Sequence, residues 1–251
     1  MSDTAAISFG STSGRLLLEL AGFLTNPVAH LSPERVVRLA PEVDREAVAR
    51  LSAGRGWGAA VSGVVRRATG LEGAGPDREL ISRLKVSDED QVLLRVALAP
   101  EARLTPLLAT MAGCIYRGAI SGAIAGARVR QLRAAFGQDA FEVGLRQATL
   151  LYPDLADFAD AAMTFPEVNP ETGKIPEGTP FHIRDAQIVL GRMMEARHPL
   201  FGQVFDVRFG WKQERKSPRP PAWSADLTDR HTSQMMKLLR MKNAQWQMYS
   251  S

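Results

Sequence analysis

Between Leu104 and Phe136 the glycines Gly118, Gly122 and Gly126 recur every fourth residue, and Gly137 closes the segment. A spacing of four places side chains one above another on a single helical face. Each glycine costs about 1 kcal/mol in a helix interior relative to Ala, so three on one stripe require compensating contacts. The stripe therefore predicts a long central helix whose small face lies against a neighbour. From Leu104 to Ala127 the only charge is Arg117. A segment of that length can span a bilayer, and G-x-x-x-G faces drive dimerisation there. Arg117 near its centre would cost about 2.5–3.5 kcal/mol on insertion scales, and the abundant Ser, Thr, Gly and Ala dilute its hydrophobicity. The segment reads as a buried bundle helix, with no transmembrane span expected.

Around it, Ala, Leu, Arg, Glu and Gln dominate the periodic stretches and strand-like runs are few. The expected fold is all-α, an irregular multi-helix bundle around the long central helix. At 251 residues the chain can bury a substantial core. The single cysteine, Cys114, excludes an internal disulfide framework, fits a reducing cytoplasm and sits among apolar neighbours as an inert thiol. The net charge is +4, but Arg208 to Ser251 alone carries nine Lys/Arg against three Asp/Glu. The body is thus near neutral and the C-terminal region basic. This argues against a nucleic-acid-binding body and leaves acidic partners or anionic lipid open to the tail. Met1 to Gly14 lacks a cationic n-region before an apolar core, so no cleaved signal is expected; residues 1–14 read as disordered.

Residues 15–210 read as one helical domain. Leu16 to Leu24 is a short apolar helix. Ser32 is an N-cap with Pro33 at the first helical position, so a helix runs toward Leu39. Glu42 to Leu51, Trp57 to Thr69 and Asp77 to Lys85 are further helices. Ser87 caps Asp88 to Ala99, whose acidic first turn suits the helix dipole. After the striped helix, Asp139 to Leu151 is helical with Phe141, Leu145 and Ala148 spaced for burial. Residues 152–180 form a Pro-rich, irregular insertion. Ile183 to Arg197 and Leu200 to Phe209 are helices interrupted at His198-Pro199. Residues 211–251 are a basic linker and an amphipathic, Met-rich helix from Ser224 to Met248.

Catalytic signatures are sparse. Gly54-Arg55-Gly56-Trp57-Gly58 fails the phosphate-loop spacings and reads as a turn between helices. None of His30, His182, His198 and His231 forms an H-x-x-x-H pair, and no metal or cofactor is expected. His182 and Asp185 could share a helix face as an acid-base pair, which gives one alternative function: a small helical enzyme with its pocket lined by the Pro-rich loop. Carboxylate pairs such as Asp154 and Asp157 sit in turn-like sequence, where capping explains them. The C-terminal helix, with Met235, Leu238, Leu239, Met241, Trp246 and Met248 beside Lys237, Arg240 and Lys242, gives another: a peripheral membrane protein, or a partner-docking face.

Three segments, in order along the chain, stand out: Phe23 to Leu39 (F-L-T-N-P-V-A-H-L-S-P-E-R-V-V-R-L), Leu93 to Leu145 (with L-L-R-V-A-L, the Gly-rich helix, V-R-Q-L-R-A-A-F-G and F-E-V-G-L-R), and Asp185 to Arg208 leading into F-D-V-R-F. They resemble the type III secretion accessory protein family often called SctK, with relatives YscK, OrgA and MxiK. Together they cover somewhat under half the chain; the Pro-rich stretch and the region after Gly210 depart from the pattern. The resemblance implies a non-enzymatic cytosolic adaptor at the cytoplasmic face of the inner membrane. It would bridge the cytoplasmic domain of the inner-membrane ring protein to the pod protein of SctQ type, which connects to the ATPase assembly. Interface candidates are Asn26, Pro27, His30 and Ser32 of the N-terminal motif, Arg117 on the long helix, and Trp246. An Arg in so apolar a helix is either paired internally or presented to a partner.

Overall fold

Local capping chemistry sets most of the helix starts. The computed structural model describes residues 11–44, 46, 57–124, 126–153, 181–210 and 225–242, and among these all regular structure is helical. The first helix, α1 (Thr12–Thr25), starts where the Ser11 side chain accepts from the Gly14 amide. It therefore begins inside the stretch expected to be disordered, and Ser13 ties it down by donating to the Leu84 carbonyl at 2.8 Å. A 3-10 turn (Pro27–His30) leads into α2 (Pro33–Leu39), capped by Ser32 with Pro33 in the first turn. Next come α3 (Trp57–Ala68), α4 (Arg78–Val86) capped by Asp77, and α5 (Asp88–Leu98) capped by Ser87. The caps at Ser32 and Ser87 are the ones the sequence predicts.

The long striped helix does not form. In its place stand α6 (Glu101–Ile115), the short α7 (Arg117–Ser121) and α8 (Gly126–Phe136). The break has a clear cause. A Cβ added at Gly118 would meet nothing within 4 Å, so no neighbour offsets the cost of glycine there. The chain leaves the helix at Tyr116, and again at Gly122, where an intact helix would have carried its stripe.

The close helix approach lies elsewhere. A Cβ on Gly113 of α6 would run into the Ala140 carbonyl oxygen, and one on Gly144 would lie 2.5 Å from Ile120 Cδ1 and 2.6 Å from the Gly113 carbonyl oxygen. Gly113 and Gly144 thus form the backbone-to-backbone crossing that the stripe was expected to supply. Gly144 belongs to a π-helical turn, Val143–Gln147, set between α9 (Gln138–Glu142) and α10 (Ala148–Leu151). The expected helix over Asp139 to Leu151 is present, but the π turn inserts a residue into its register. Phe141 and Ala148 stay buried while Leu145 turns out to 40 % exposure.

Helices α11 (Phe181–Arg197) and α12 (Pro199–Phe209) pack on one another, with α11 also against α6 and α12 against α5. His198 caps α12, its Nδ1 accepting from the Leu200 amide. The last helix, α13 (Ala225–Lys242), packs on α11 and α5, and its Met235, Met236, Leu238 and Leu239 join the same buried cluster as Leu20, Phe23 and Leu93. Cys114 is fully buried, as its neighbours suggest.

A buried ion cluster ties these layers together. Asp90 of α5 is 1 % exposed and accepts from Arg83 Nε at 3.0 Å and from Arg197 Nε at 2.6 Å, and Arg197 also reaches Asp229 of α13 at 2.6 Å. Burial pushes the Asp90 carboxyl up, but the hydrogen bonds and charges of Arg197 and Arg83 outweigh it and hold the carboxyl below its usual range. Three elements meet at this one carboxylate, and a fourth, α13, joins them through Arg197 and Asp229.

The greater part of the helix expected from Glu42 to Leu51, the Gly54-Arg55-Gly56 turn, the Pro-rich insertion from residue 154 to 180 with Asp154 and Asp157, the linker over 211–224 and Trp246 all lie outside the described residues. Among the described residues no helix is long and apolar enough to cross a membrane.

Candidate functional site

The N-terminal motif Asn26-Pro27-Val28-Ala29-His30-Leu31-Ser32 is the outer rim of a junction between distant parts of the chain. Each of its residues has a local structural cause. Asn26 ends α1 and its Oδ1 accepts from the Ser62 hydroxyl at 2.5 Å, fastening α1 to α3. Pro27 starts the 3-10 turn and is buried, its missing amide matching a position with no partner to lose. Ser32 accepts from the Arg35 amide at 3.2 Å. Asn26, His30 and Ser32 remain exposed around this framework.

Two arginines lie beneath the rim. Arg35 of α2 is buried and donates through Nε to the Val207 carbonyl at 2.8 Å and through Nη2 to the Asp206 carbonyl at 2.6 Å. Those carbonyls are at the C-terminal end of α12, where the helix dipole favours a cation. Gly210 ends α12 in the left-handed region (φ 69°), and its α-carbon faces the Arg35 guanidinium so closely that a Cβ would collide with it. Arg208 donates to the Leu98 carbonyl and, at 3.1 Å, to the His30 carbonyl. Its guanidinium also lies 5.5 Å from the centroid of the Phe23 ring, within cation–π range. Burial brings the Arg208 pKa down to about 10, so it keeps its charge at neutral pH.

His30 feels this arrangement directly. Its ring is tilted against Phe23 with centroids 5.7 Å apart. Partial desolvation first, and the Arg208 charge second, lower its pKa from the ordinary imidazole value. An exposed, neutral imidazole at physiological pH can both donate and accept hydrogen bonds to a partner.

The junction thus gathers parts of all three segments that carry the family resemblance: Phe23, His30 and Arg35 from the first, Leu98 from the second, and Asp206, Val207 and Arg208 from the third. Arg35 and Arg208 were not legible as its organisers. The available signal was their placement, single cations set in the apolar runs R-V-V and D-V-R-F, which marks a guanidinium that must find acceptors inside.

Arg117 sits apart, half-buried, at the first position of α7, and among the described residues no carboxylate pairs with it. The structure does not bring it to the N-terminal motif. Asp185, half of the proposed acid-base pair, is buried and accepts from the Tyr116 hydroxyl in a short hydrogen bond, with Arg184 Nε 4.0 Å away. Burial raises its pKa despite the lowering by Tyr116 and Arg184. The position of the His182 side chain lies outside the described residues. Tyr116 is the partner the sequence reading missed; it pins the break after α6 to α11. Among the described residues no cluster of His, Cys, Asp and Glu is arranged to hold a metal ion.

Comparison with known proteins finds no matching family model, no similar curated protein and no similar solved structure.

Proposed function

We propose that this chain is a non-enzymatic, cytosolic adaptor of a bacterial type III secretion apparatus. It would bridge the cytoplasmic domain of the inner-membrane ring to the SctQ-type pod protein and, through it, the ATPase assembly, at the cytoplasmic face of the inner membrane. The observation that carries the reading is the junction: three segments chosen for their family-like sequence converge on Arg35 and Arg208 and leave Asn26, His30 and Ser32 on its exposed rim. A rim held rigid from below by main-chain acceptors is the kind of surface on which docking residues keep a fixed spacing. The all-helical fold is consistent with an adaptor, and Arg117 offers a second, separate contact on α7.

The test is affinity purification of the tagged chain from its native cell with identification of what co-purifies. The reading expects ring and pod components among the captured proteins. Capture of neither, from cells in which the secretion apparatus is assembled, would overturn it.

Of the six apolar residues that suggested a membrane anchor or partner-docking helix at the C-terminus, Met235, Leu238 and Leu239 are buried, and the side chains of Met241, Trp246 and Met248 lie outside the described residues. Met235, Met236, Leu238 and Leu239 are turned to the body of the protein, against α11 and α5. Asp185 of the alternative acid-base pair accepts from the Tyr116 hydroxyl.

A further inference from the structure

From Arg117 to Gln138 the chain carries four arginines and no acidic residue. The middle of this stretch is the connection from α7 to α8, and there Ile124 is 96 % exposed, the highest value of any large apolar side chain among the described residues. Ser121, Gly122, Gly126 and Ala127 around it are exposed and small, so among the described residues no bulky sequence neighbour shields it. Arg130 is exposed on the following helix and makes no ion pair among the described residues. Arg133 is also exposed; its guanidinium reaches Glu142 only at 3.9 Å and lies over the Phe141 ring. The π turn packs beside α7, with Ile120 against Gly144, so exposed Leu145 and Arg146 adjoin the same corner.

We propose that this corner is an interfacial contact for an anionic lipid bilayer, with Ile124 entering the acyl region while Arg130 and its neighbouring arginines stay at the headgroup phosphates. The charge pattern argues for this occupant. Arg130, Arg133 and Arg146 outnumber the one carboxylate beside them among the described residues, Glu142, and a net-positive surface complements a sheet of phosphates, while arginine stems lie along apolar material with their guanidinium groups in the polar layer. The shape argues the same way. One aliphatic tip on a turn of small residues is a wedge for a fluid phase, whereas a protein interface core groups several buried anchors in fitted pockets. This surface shares no residue with the N-terminal rim and does not depend on the adaptor reading.

The 251-residue chain carries one cysteine, Cys114, which is fully buried, so Ile124→Cys can be labelled selectively with a polarity-sensitive fluorophore. On phosphatidylcholine vesicles containing phosphatidylglycerol, the label's emission should rise and shift to the blue, with no change on phosphatidylcholine alone. In co-sedimentation, Arg130→Gln should weaken binding about fivefold, the factor one arginine contributes near an anionic surface, and Ile124→Ser should weaken it severalfold with an unchanged melting midpoint. An unshifted label on the anionic vesicles would overturn the proposal. So would an equal shift with soluble poly-glutamate, which would make the corner a site for an acidic protein, or undiminished sedimentation of Ile124→Ser, which would assign binding to cations elsewhere in the chain.

Discussion

Arg35 and Val207 are 172 positions apart in sequence and are joined by a 2.8 Å hydrogen bond from the guanidinium Nε to the main-chain carbonyl. The bond fixes the helix that follows the N-terminal motif to the end of α12. Because the acceptors are carbonyls rather than carboxylates, the contact depends on backbone geometry, and Gly210 is what lets the guanidinium in.

Gly210→Ala should therefore destabilise the protein. A Cβ there meets Arg35, and the left-handed φ of 69° is itself unfavourable for Ala. The expected loss is about 1–3 kcal/mol, seen as a lower denaturant midpoint with unchanged slope. A midpoint equal to wild type would show that Arg35 is not held against Gly210.

The glycines separate into two classes that thermal unfolding can distinguish. Gly113→Ala and Gly144→Ala should each cost about 1–3 kcal/mol or more, because the new methyl meets backbone across the α6–π-turn crossing. Gly118→Ala, on open helix, should leave stability unchanged or raise it by about 0.4–1 kcal/mol. The reverse order would restore the stripe as the packing face.

Asp90 supplies an acid-side dependence. Its folded pKa lies below the unfolded value, so its contribution is present above that unfolded value and is lost as pH falls through the folded one. Asp90→Asn should flatten that part of the stability–pH curve. It should also cost about 3 kcal/mol at neutral pH by leaving Arg83 and Arg197 without their shared charge. A curve of unchanged steepness in the variant would remove Asp90 from the account.

Asp185 has the opposite sign. Its folded pKa is raised, so its stabilising contribution is complete below the unfolded carboxylate pKa and is lost as pH rises through the folded one. Asp185→Asn keeps an acceptor for the Tyr116 hydroxyl without a charge to desolvate. Urea titrations over a pH series should show the variant gaining on wild type as pH increases. A variant that loses ground toward neutral pH would mean the carboxylate is stabilised by charge after all.

What could be read from the sequence was local. The Ser32 and Ser87 caps, the stop at Gly137 and the break at His198-Pro199 depend on residues within a turn of one another, and all stand in the structure. The glycine stripe misled because spacing gives a face but not the neighbour that must fill it; the neighbour is at Gly113 and Gly144, which belong to no shared period. Leu145 misled because a π turn changes the register without a residue type that announces it. The junction was half legible. Its rim, Asn26 to Ser32, has turn and cap chemistry in plain order, whereas Arg35, Arg208 and the Tyr116–Asp185 pair find partners 69 to 178 positions away.

The adaptor reading rests most directly on binding by the purified chain. Titrated calorimetrically against the purified SctQ-type pod protein and the ring protein's cytoplasmic domain, wild type should form a saturable complex with each. Replacement of His30 or Arg117 by Ala should weaken at least one of them about tenfold, roughly 1.4 kcal/mol, while the melting midpoint stays at the wild-type value. Absence of binding to both partners, or the same affinities in the variants and wild type, would contradict it.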